Sequence, residues 1–214
     1  MPFRETTLSN LLLFGTDSVL KPSYADFANS ALHPEIQKVY KKLNGQLETY
    51  PVQYRGFDIK LPGCVVEFDE EQHFNRYRQL TLNSTIYEYN NSFSTEEYKT
   101  FCVEFENQCL NRASYGKYWK TNSTENQFGE SSGNGMLEEN GGSSRWKQRA
   151  FYDFLRDAGQ QVGNYKLIRV SIHEVIGDTS VREILGNNLR QYFADLVKMI
   201  EQKRIGACDT AQTI

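Results

Sequence analysis

The stretch at 57–69, FDIKLPGCVVEFD, constrains the fold most, because a Pro-Gly corner separates two segments of alternating polarity. Proline presets φ for one central turn position, and glycine accepts positive φ at the next. If Pro62 and Gly63 form the loop, Asp58 falls directly opposite Glu67 in an antiparallel hairpin. A Pro-Gly turn is not the favoured hairpin turn, so a longer loop is the alternative. A loop that takes one more residue from each strand keeps the same pairing.

Side-chain alternation divides this predicted hairpin into an apolar face and an acidic face. The apolar face carries Phe57, Ile59, Leu61, Cys64, Val66 and Phe68. The acidic face carries Asp58, Lys60, Glu67 and Asp69. Facing carboxylates have Cβ atoms about 5 Å apart and repel each other, so a shared cation would offset the repulsion.

Magnesium is the cation that these carboxylates predict, because it prefers oxygen ligands and is commonly held by one or two carboxylates plus substrate phosphate oxygens. Bound to Asp58 and Glu67, it would polarise a phosphodiester and lower the pKa of an attacking water. Lys60 could position that water or stabilise the pentacoordinate charge. The alternative is that the two acids pair with Lys60 and Arg55 on a solvated sheet face.

Length and composition favour one domain, since 214 residues with 39% hydrophobic and 13% aromatic content can bury a substantial core. The formal net charge of −3 gives no global attraction to nucleic acid, so a polyanion would need a local basic patch.

The chain shows no signal-peptide pattern, and its apolar run at 11–14 is too short to span a bilayer, so we expect a cytoplasmic protein without a membrane partner. The cysteines lack CxxC spacing, which favours reduced thiols over a zinc site. They are Cys64, Cys102, Cys109 and Cys208.

Periodicity and turn residues predict a core at about 33–80 and 145–203. Pro34 and Gly45 bound a short helix. Strands are predicted at 46–54, 57–61 and 64–69. A helix at 145–159 followed by a strand at 165–175 predicts a crossover. An amphipathic helix from 180 to 203, with Ser180 and Glu183 as a capping box, closes the core.

Between the two core segments we predict an insertion at about 84–144. Its first part is aromatic and polar, with Ser94 and Glu97 as a capping pair before a helix. Its last part, 121–144, has almost no large apolar residues and is predicted to be a mobile loop.

The acidic hairpin resembles the PD-(D/E)XK nuclease superfamily, particularly small relatives of very-short-patch-repair endonucleases. The motif is D…E-x-D-x-x-Q-H, followed later by QRAFYDFLRDAGQQVGNYKLIRV, and the resemblance covers 47–77 and 145–175. The motif residues are Asp58, Glu67, Asp69, Gln72 and His73. The resemblance implies an α/β, restriction-endonuclease-like core with a mixed central β-sheet flanked by helices. It also implies phosphodiester cleavage with Mg²⁺, for which Mn²⁺ should substitute.

Carried over by position, the resemblance makes Asp58 and Glu67 metal ligands, with Phe68 lending its carbonyl. In many relatives an acidic residue of the first helix joins the metal shell, which would be Glu35 here. A negative residue in a first helical turn also suits the helix dipole, so both roles stay open for Glu35.

The chain also departs from the pattern of these relatives, and the departures leave the general base open. Glu70 replaces their usual glycine, Asp69 stands where the wider superfamily has lysine, and Arg149 lies near the position of a frequent aspartate. Asp69 is either a metal ligand or an N-terminal cap for the segment that follows it. His73, after Gln72, either transfers a proton or contacts phosphate, or it is structural.

Two basic segments are candidates for DNA contact. The segment at 111–120 suits phosphate binding and base stacking through Arg112, Tyr115, Lys117, Tyr118, Trp119 and Lys120. Its aromatic residues could equally form a satellite core. The helix at 145–159 presents a second basic surface with Arg145, Lys147, Arg149 and Arg156.

These observations predict a Mg²⁺-dependent endonuclease acting on double-stranded DNA, most simply a sequence-specific restriction enzyme. Cutting both strands of a symmetric site would require a homodimer. The alternatives are a monomeric mismatch or repair nickase, an inactive nuclease fold that binds DNA or protein, and a protein whose acidic pair is structural.

Overall fold

The computed structural model describes residues 3–12, 19–89, 93–112, 120–131, 142–163 and 165–209, with side chains described up to 205. The helices are α1 Phe3–Leu12, α2 Tyr24–Ala28, α3 His33–Lys42, α4 Arg76–Thr81, α5 Thr95–Glu104, α6 Glu106–Asn111, α7 Asn122–Phe128, α8 Ser144–Val162, α9 Val181–Gly186 and α10 Phe193–Asp209. The strands are β1 Ile59–Leu61, β2 Cys64–Asp69, β3 Lys166–Ser171, β4 Val175–Ile176 and β5 Thr179–Ser180. Single 3₁₀ turns cover Glu71–His73, Thr85–Tyr89 and Arg190–Tyr192.

The fold is mixed α/β, with a small mixed sheet of order β1-β2-β3 and a separate β4–β5 ribbon. The predicted hairpin register is confirmed, with Ile59 opposite Val66, Lys60 opposite Val65 and Leu61 opposite Cys64. Gly63 has φ of 73°, the positive value that the Pro-Gly corner predicts.

The predicted crossover is also confirmed, because β2 pairs in parallel with β3, from Cys64 opposite Lys166 to Asp69 opposite Ser171. All six residues of β2 are buried, as expected for a central strand covered on both faces. Its apolar side chains divide between two clusters. Val66 and Phe68 join the main core, whereas Val65 packs in a smaller cluster with Phe57, Tyr165 and Leu167.

Two details of the predicted hairpin region are wrong. Phe57 lies on the opposite side of the sheet from Ile59, because ladder pairing begins only at Ile59. The predicted strand at 46–54 is irregular chain, and Pro51 within it lacks the N–H donor that a ladder needs. Tyr50 and Tyr54 in this segment are buried, which explains its strand-like aromatic content.

The prediction of a loop throughout 121–144 is wrong over α7, where Thr121 and Thr124 form a reciprocal N-terminal cap. Phe128 anchors this helix in the core by edge contacts with the rings of Tyr40 and Phe151. Residues 132–141 of the predicted loop lie outside the described residues. One capped turn and one buried aromatic side chain therefore order this polar segment.

The last predicted helix is interrupted, with α9 ending at Gly186 and α10 beginning at Phe193. Asn188 in the connection has φ of 53°, a left-handed conformation that ends a helix. The predicted capping box of Ser180 and Glu183 is confirmed at the start of α9. Of the predicted pair of Ser94 and Glu97, the structure shows the Ser94 half, because the Ser94 side chain caps α5 by accepting from the Glu97 N–H.

The described cysteines, Cys64, Cys102 and Cys109, are buried free thiols, as predicted. Burial raises the pKa of Cys102 and of Cys109 to about 12. None of the helices in the described ranges combines the length and apolar composition that a bilayer span requires.

Candidate functional site

Asp58 is the first of the hairpin acids, and its Oδ2 accepts a hydrogen bond of 2.9 Å from the backbone N–H of Phe68. This bond holds the carboxylate against β2, next to the strand's own acids. Burial raises the pKa of Asp58, and the nearby charge of Asp69 adds to the increase. The hydrogen bond from Phe68 and the charge of Arg156 act in the opposite direction.

Glu67 is the second hairpin acid, and it is 2% exposed. Its Oε2 lies 3.1 Å from Nε of Arg156, whereas Oε1 has no hydrogen-bond partner among the described residues. Burial raises the pKa of Glu67 well above its usual value, although Arg156 acts against this. A buried carboxylate oxygen without a partner requires an explanation, and a bound cation would supply one.

Asp69, the third acid, is the centre of a buried ion-pair network. Nη1 of Arg169 lies 2.7 and 2.8 Å from its two oxygens, and the Tyr98 hydroxyl donates to Oδ2 at 3.0 Å. Nε of Arg169 also donates to Asp157 at 2.6 Å, and Arg78 pairs with Asp157 from the other side. Asp69 is therefore an ion-pair partner of Arg169, and no capping bond from its side chain is seen among the described residues.

His73 lies between two carboxylates and an arginine. Its Nδ1 lies 2.8 Å from Oδ2 of Asp153 and 3.2 Å from Oδ1 of Asp69, and its Nε2 lies 2.9 Å from Nη1 of Arg149. Arginine can only donate, so Nε2 is the acceptor and Nδ1 carries the proton that it donates to Asp153. The imidazole is thus oriented as a neutral acceptor.

One ligand atom each of Asp69, His73 and Asp153 lies within 4.8 Å of the others, so this group could hold a metal ion. The His73 Nδ1 proton is already donated to Asp153, and Oδ1 of Asp69 lies 3.2 Å from the same nitrogen. The geometry therefore suits a histidine oriented by carboxylates better than a set of metal ligands. The pKa of Asp153 is strongly lowered, because its hydrogen bond with His73 and the charges of Arg169 and Arg78 outweigh its burial.

A cleft of about 530 Å³ opens beside His73. It is lined by Phe3, Arg4, Glu70, Glu71, Gln72, His73, Arg112, Arg149 and Gly186. Gln72 lies at its wall and donates from Nε2 to the backbone carbonyl of Arg112 at 2.9 Å. The Q-H pair of the sequence motif therefore faces a cleft bordered by arginines.

Other predicted site residues make contacts away from this cluster. Nζ of Lys60 donates to the carbonyl of Val19 at 3.2 Å. Glu35 accepts from the Ser84 hydroxyl at 2.8 Å and from Lys38 at 2.9 Å, so it secures the turn after α4. None of its contacts within the described ranges joins it to the hairpin acids. The Phe68 side chain is buried in the core.

Apart from Arg145, Arg149 and Arg156, the predicted DNA-contacting residues divide into three groups. Lys147 is fully buried, with Nζ 5.7 Å from the ring centroid of Tyr77, so its predicted contact with DNA is wrong. Arg112 and Lys120 are exposed, and they pair with Glu71 and Glu125 respectively. Tyr115, Lys117, Tyr118 and Trp119 lie outside the described residues.

The basic surface of α8 retains Arg145 and Arg149, which are partly exposed. Burial lowers the pKa of Arg145, and the charges of Arg149 and Arg55 lower it further. Like charges held this close are electrostatically unfavourable in the free protein, and a bound polyanion would relieve the repulsion.

Sequence reasoning missed Asp153, which supplies the carboxylate beside His73. Its position was readable in RAFYD, because Arg149 and Asp153 are four residues apart and share one face of α8. It also missed Arg4, whose partner Glu71 is distant in the sequence, and it placed Arg156 on the basic surface of α8, where the structure pairs it with Glu67.

Comparison with known proteins adds one relationship. A family model described as a family of unknown function (DUF7255) matches residues 38–191, more than half of the chain. The chain belongs to this family. The matched range contains the hairpin acids, His73 and Asp153, whereas Arg4 and α10 lie outside it. No curated protein and no solved structure shows significant similarity to the chain.

Proposed function

We propose that the protein is a Mg²⁺-dependent endonuclease that hydrolyses phosphodiester bonds of double-stranded DNA. The observation that carries the proposal has two parts. The Asp58 carboxylate accepts from the backbone N–H of Phe68, between Glu67 and Asp69 in β2, and the oriented imidazole of His73 borders a cleft lined by arginines. The small mixed sheet, with a hairpin followed by a parallel crossover strand, is compatible with a restriction-endonuclease-like core.

The acidic residues fit a magnesium ion by their chemistry. Asp58 and Glu67 offer carboxylate oxygens, which Mg²⁺ prefers, and Oε1 of Glu67 is buried without a hydrogen-bond partner among the described residues. Burial raises the pKa of Glu5 on α1, and the charges of Asp58 and Glu70 raise it further, so a third carboxylate lies close to Asp58. Bound there, Mg²⁺ or Mn²⁺ would act as a Lewis acid on the phosphate and on water. The Phe68 carbonyl is the proposed additional ligand.

His73 is the proposed general base. Asp153 holds the Nδ1 proton, so Nε2 is the nitrogen that accepts a proton from the attacking water. Nη1 of Arg149 donates to Nε2 at 2.9 Å, so a phosphate entering the cleft would compete for this guanidinium and release the imidazole. Asp69 and Arg169 would hold the dyad in place without touching the substrate.

Plasmid cleavage tests the proposal. The purified protein is incubated with supercoiled plasmid and Mg²⁺, with EDTA as the chemical control. Asp58→Asn should abolish cleavage, whereas Asp195→Asn, an exposed acid on α10, should leave it unchanged. Discrete linear fragments would support a sequence-specific, dimeric restriction enzyme, and accumulation of nicked circles would support the monomeric nickase.

A second candidate is a nuclease-like fold that binds nucleic acid without cutting it. It is favoured by the ion pairs of Glu67 with Arg156 and of Asp69 with Arg169, because protein cations already balance both acids. Calorimetric titration with Mg²⁺ separates the two functions. A nuclease should bind the ion in a way that Asp58→Asn abolishes, whereas a binding module should show no Asp58-dependent heat.

A further inference from the structure

Glu71 is a nearly buried carboxylate that gathers arginines from three separate parts of the chain. Its Oε1 lies 3.0 Å from Nη1 of Arg4 on α1 and 3.0 Å from Nη2 of Arg112 at the end of α6. Nε of Arg182 on α9 lies 3.6 Å from the same oxygen. Glu71 thus fixes the relative positions of three guanidinium groups at one wall of the cleft.

The charge around this cleft opposes that of the whole chain. Three arginines, Arg4, Arg112 and Arg149, line the cleft against the two acids Glu70 and Glu71, and Arg182 contacts Glu71 from α9. The lining therefore carries one excess positive charge in a protein whose formal net charge is −3. An anion is therefore the ligand that this cleft attracts.

The arginines at the cleft keep hydrogen-bond donors for such a ligand. A guanidinium carries five N–H groups. Within the described part of the chain, Arg4 donates to Glu70 and Glu71 through Nη1, and Arg112 donates to Glu71 through Nη2. The other N–H groups of these two side chains match the planar, bidentate recognition of phosphate oxygens.

We propose that the cleft is a phosphate-binding subsite, which takes one backbone phosphate of a nucleic acid next to the bond that is cut. Arg4, Arg112 and Arg149 contact the phosphate, and Glu71 is a positioning residue that holds Arg4 and Arg112 ready for it. The identity of the ligand as nucleic acid rests on the proposed function, whereas the preference for a phosphate rests on the arginines.

Substitution of Glu71 separates positioning from simple charge. If the site acted only through net charge, Glu71→Gln would remove one negative charge and so tighten phosphate binding. If Glu71 positions the arginines, the same change lets them separate and weakens binding. We expect Glu71→Gln to weaken the binding of a short DNA duplex about 5-fold or more, by analogy with a lost phosphate contact.

The measurement is fluorescence anisotropy of a short labelled duplex with the full chain in EDTA, across a series of salt concentrations. Arg112→Ala removes an exposed side chain and should weaken binding and reduce the salt slope by about one. Arg190→Ala, another exposed arginine, is the matched control and should change neither. The proposal would be overturned if Arg112→Ala and Arg190→Ala changed duplex affinity equally, or if Glu71→Gln bound the duplex more tightly.

Gly186 offers a variant that leaves the Glu71 contacts in place if Glu71→Gln fails to fold. A Cβ added there would meet Nε of Arg4 at 3.7 Å, an ordinary contact. Gly186→Glu should therefore weaken duplex binding, and Gly186→Gln should weaken it much less. Equal binding by these two variants would also contradict a phosphate subsite in this cleft.

The binding assay contains no metal, so its outcome is independent of catalysis. If duplex binding depends on Arg112 but the protein does not cut plasmid with Mg²⁺, the nuclease proposal is refuted and the phosphate subsite is supported. If the protein cuts plasmid but its duplex binding does not depend on Arg112, the subsite is refuted and the nuclease proposal is supported.

Discussion

Nδ1 of His73 lies 2.8 Å from Oδ2 of Asp153, and the two residues are separated by 80 positions in the sequence. The 3₁₀ turn after β2 carries the histidine, and α8 carries the aspartate. The proton on Nδ1 belongs to this contact because Arg149 donates to Nε2. The proposed chemistry therefore depends on how the end of β2 packs against α8.

Asp153→Asn tests this pair. The amide can no longer stabilise the imidazolium that forms when His73 accepts a proton, so cleavage should fall about 100-fold or more. His73→Ala should have a similar effect, and the double variant should be no slower than either single variant, because the two residues act as one unit. Initial rates of plasmid cleavage measure this. Multiplicative losses would indicate independent roles.

Glu67→Gln should lower the cleavage activity and raise the stability of the folded protein. The raised pKa of Glu67 means that the folded state favours the protonated acid, so ionisation costs stability as the pH rises above about 4.5. The glutamine variant should be more stable than the parent at pH 7 to 8, by on the order of 1 kcal/mol, and this gain should disappear near pH 4.

Thermal melting at both pH values checks the Glu67 prediction. Mg²⁺ should raise the melting temperature of the parent but not that of Glu67→Gln, because the ion stabilises only a protein that binds it. A variant that is less stable than the parent at pH 8 would show that the ion pair with Arg156 outweighs burial.

His173 should make the protein less stable in acid. Its ring is stacked on Phe105, with centroids 3.6 Å apart, and its Nε2 has no hydrogen-bond partner in the described ranges. Burial lowers the pKa of His173 from 6.5 to about 4. The unfolded chain therefore binds a proton more readily, and stability is lost as the pH falls through this interval.

His173→Phe removes this titration while keeping an aromatic ring at the site. Denaturant unfolding between pH 4 and 6.5 should show a smaller loss of stability for the variant than for the parent. His33→Phe is a suitable control, since His33 is partly exposed and bonds to the Tyr50 hydroxyl. Parallel pH profiles for the parent and His173→Phe would contradict the assignment.

Arg169→Met should destabilise the fold severely, because it leaves Asp69 and Asp157 buried without their shared cation. Breaking a buried pair in this way costs about 3–5 kcal/mol. Arg76→Ala removes the exposed partner of Glu106 and should cost less than about 1 kcal/mol. Urea unfolding compares the two variants, and similar losses would mean that the Arg169 network contributes little.

The sequence was sufficient for the local features of the site. Pro62 and Gly63 determine the hairpin register by turn chemistry alone, and strand alternation gives the apolar face apart from Phe57. The capped helices were similarly predictable from Ser94 and Ser180, because a cap depends on residues only three positions apart.

The long-range pairings could not be predicted. Arg156 meets Glu67, and Arg4 meets Glu71, only after α8 and α1 pack onto the sheet region, and no sequence pattern specifies such partners. Lys147 shows the same limit, because helical charge suggested solvent while packing buried the side chain against Tyr77. Tertiary packing, rather than local propensity, determines which charges are exposed.

Cleavage of supercoiled plasmid by the parent and by Asp58→Asn, with Mg²⁺ and equal protein concentrations, decides whether Asp58 is needed for phosphodiester hydrolysis. We expect nicked or linear DNA with the parent and none with the variant, while both melt at similar temperatures. Equal cleavage by a folded Asp58→Asn protein would contradict this expectation, and so would intact plasmid with the parent under every metal condition.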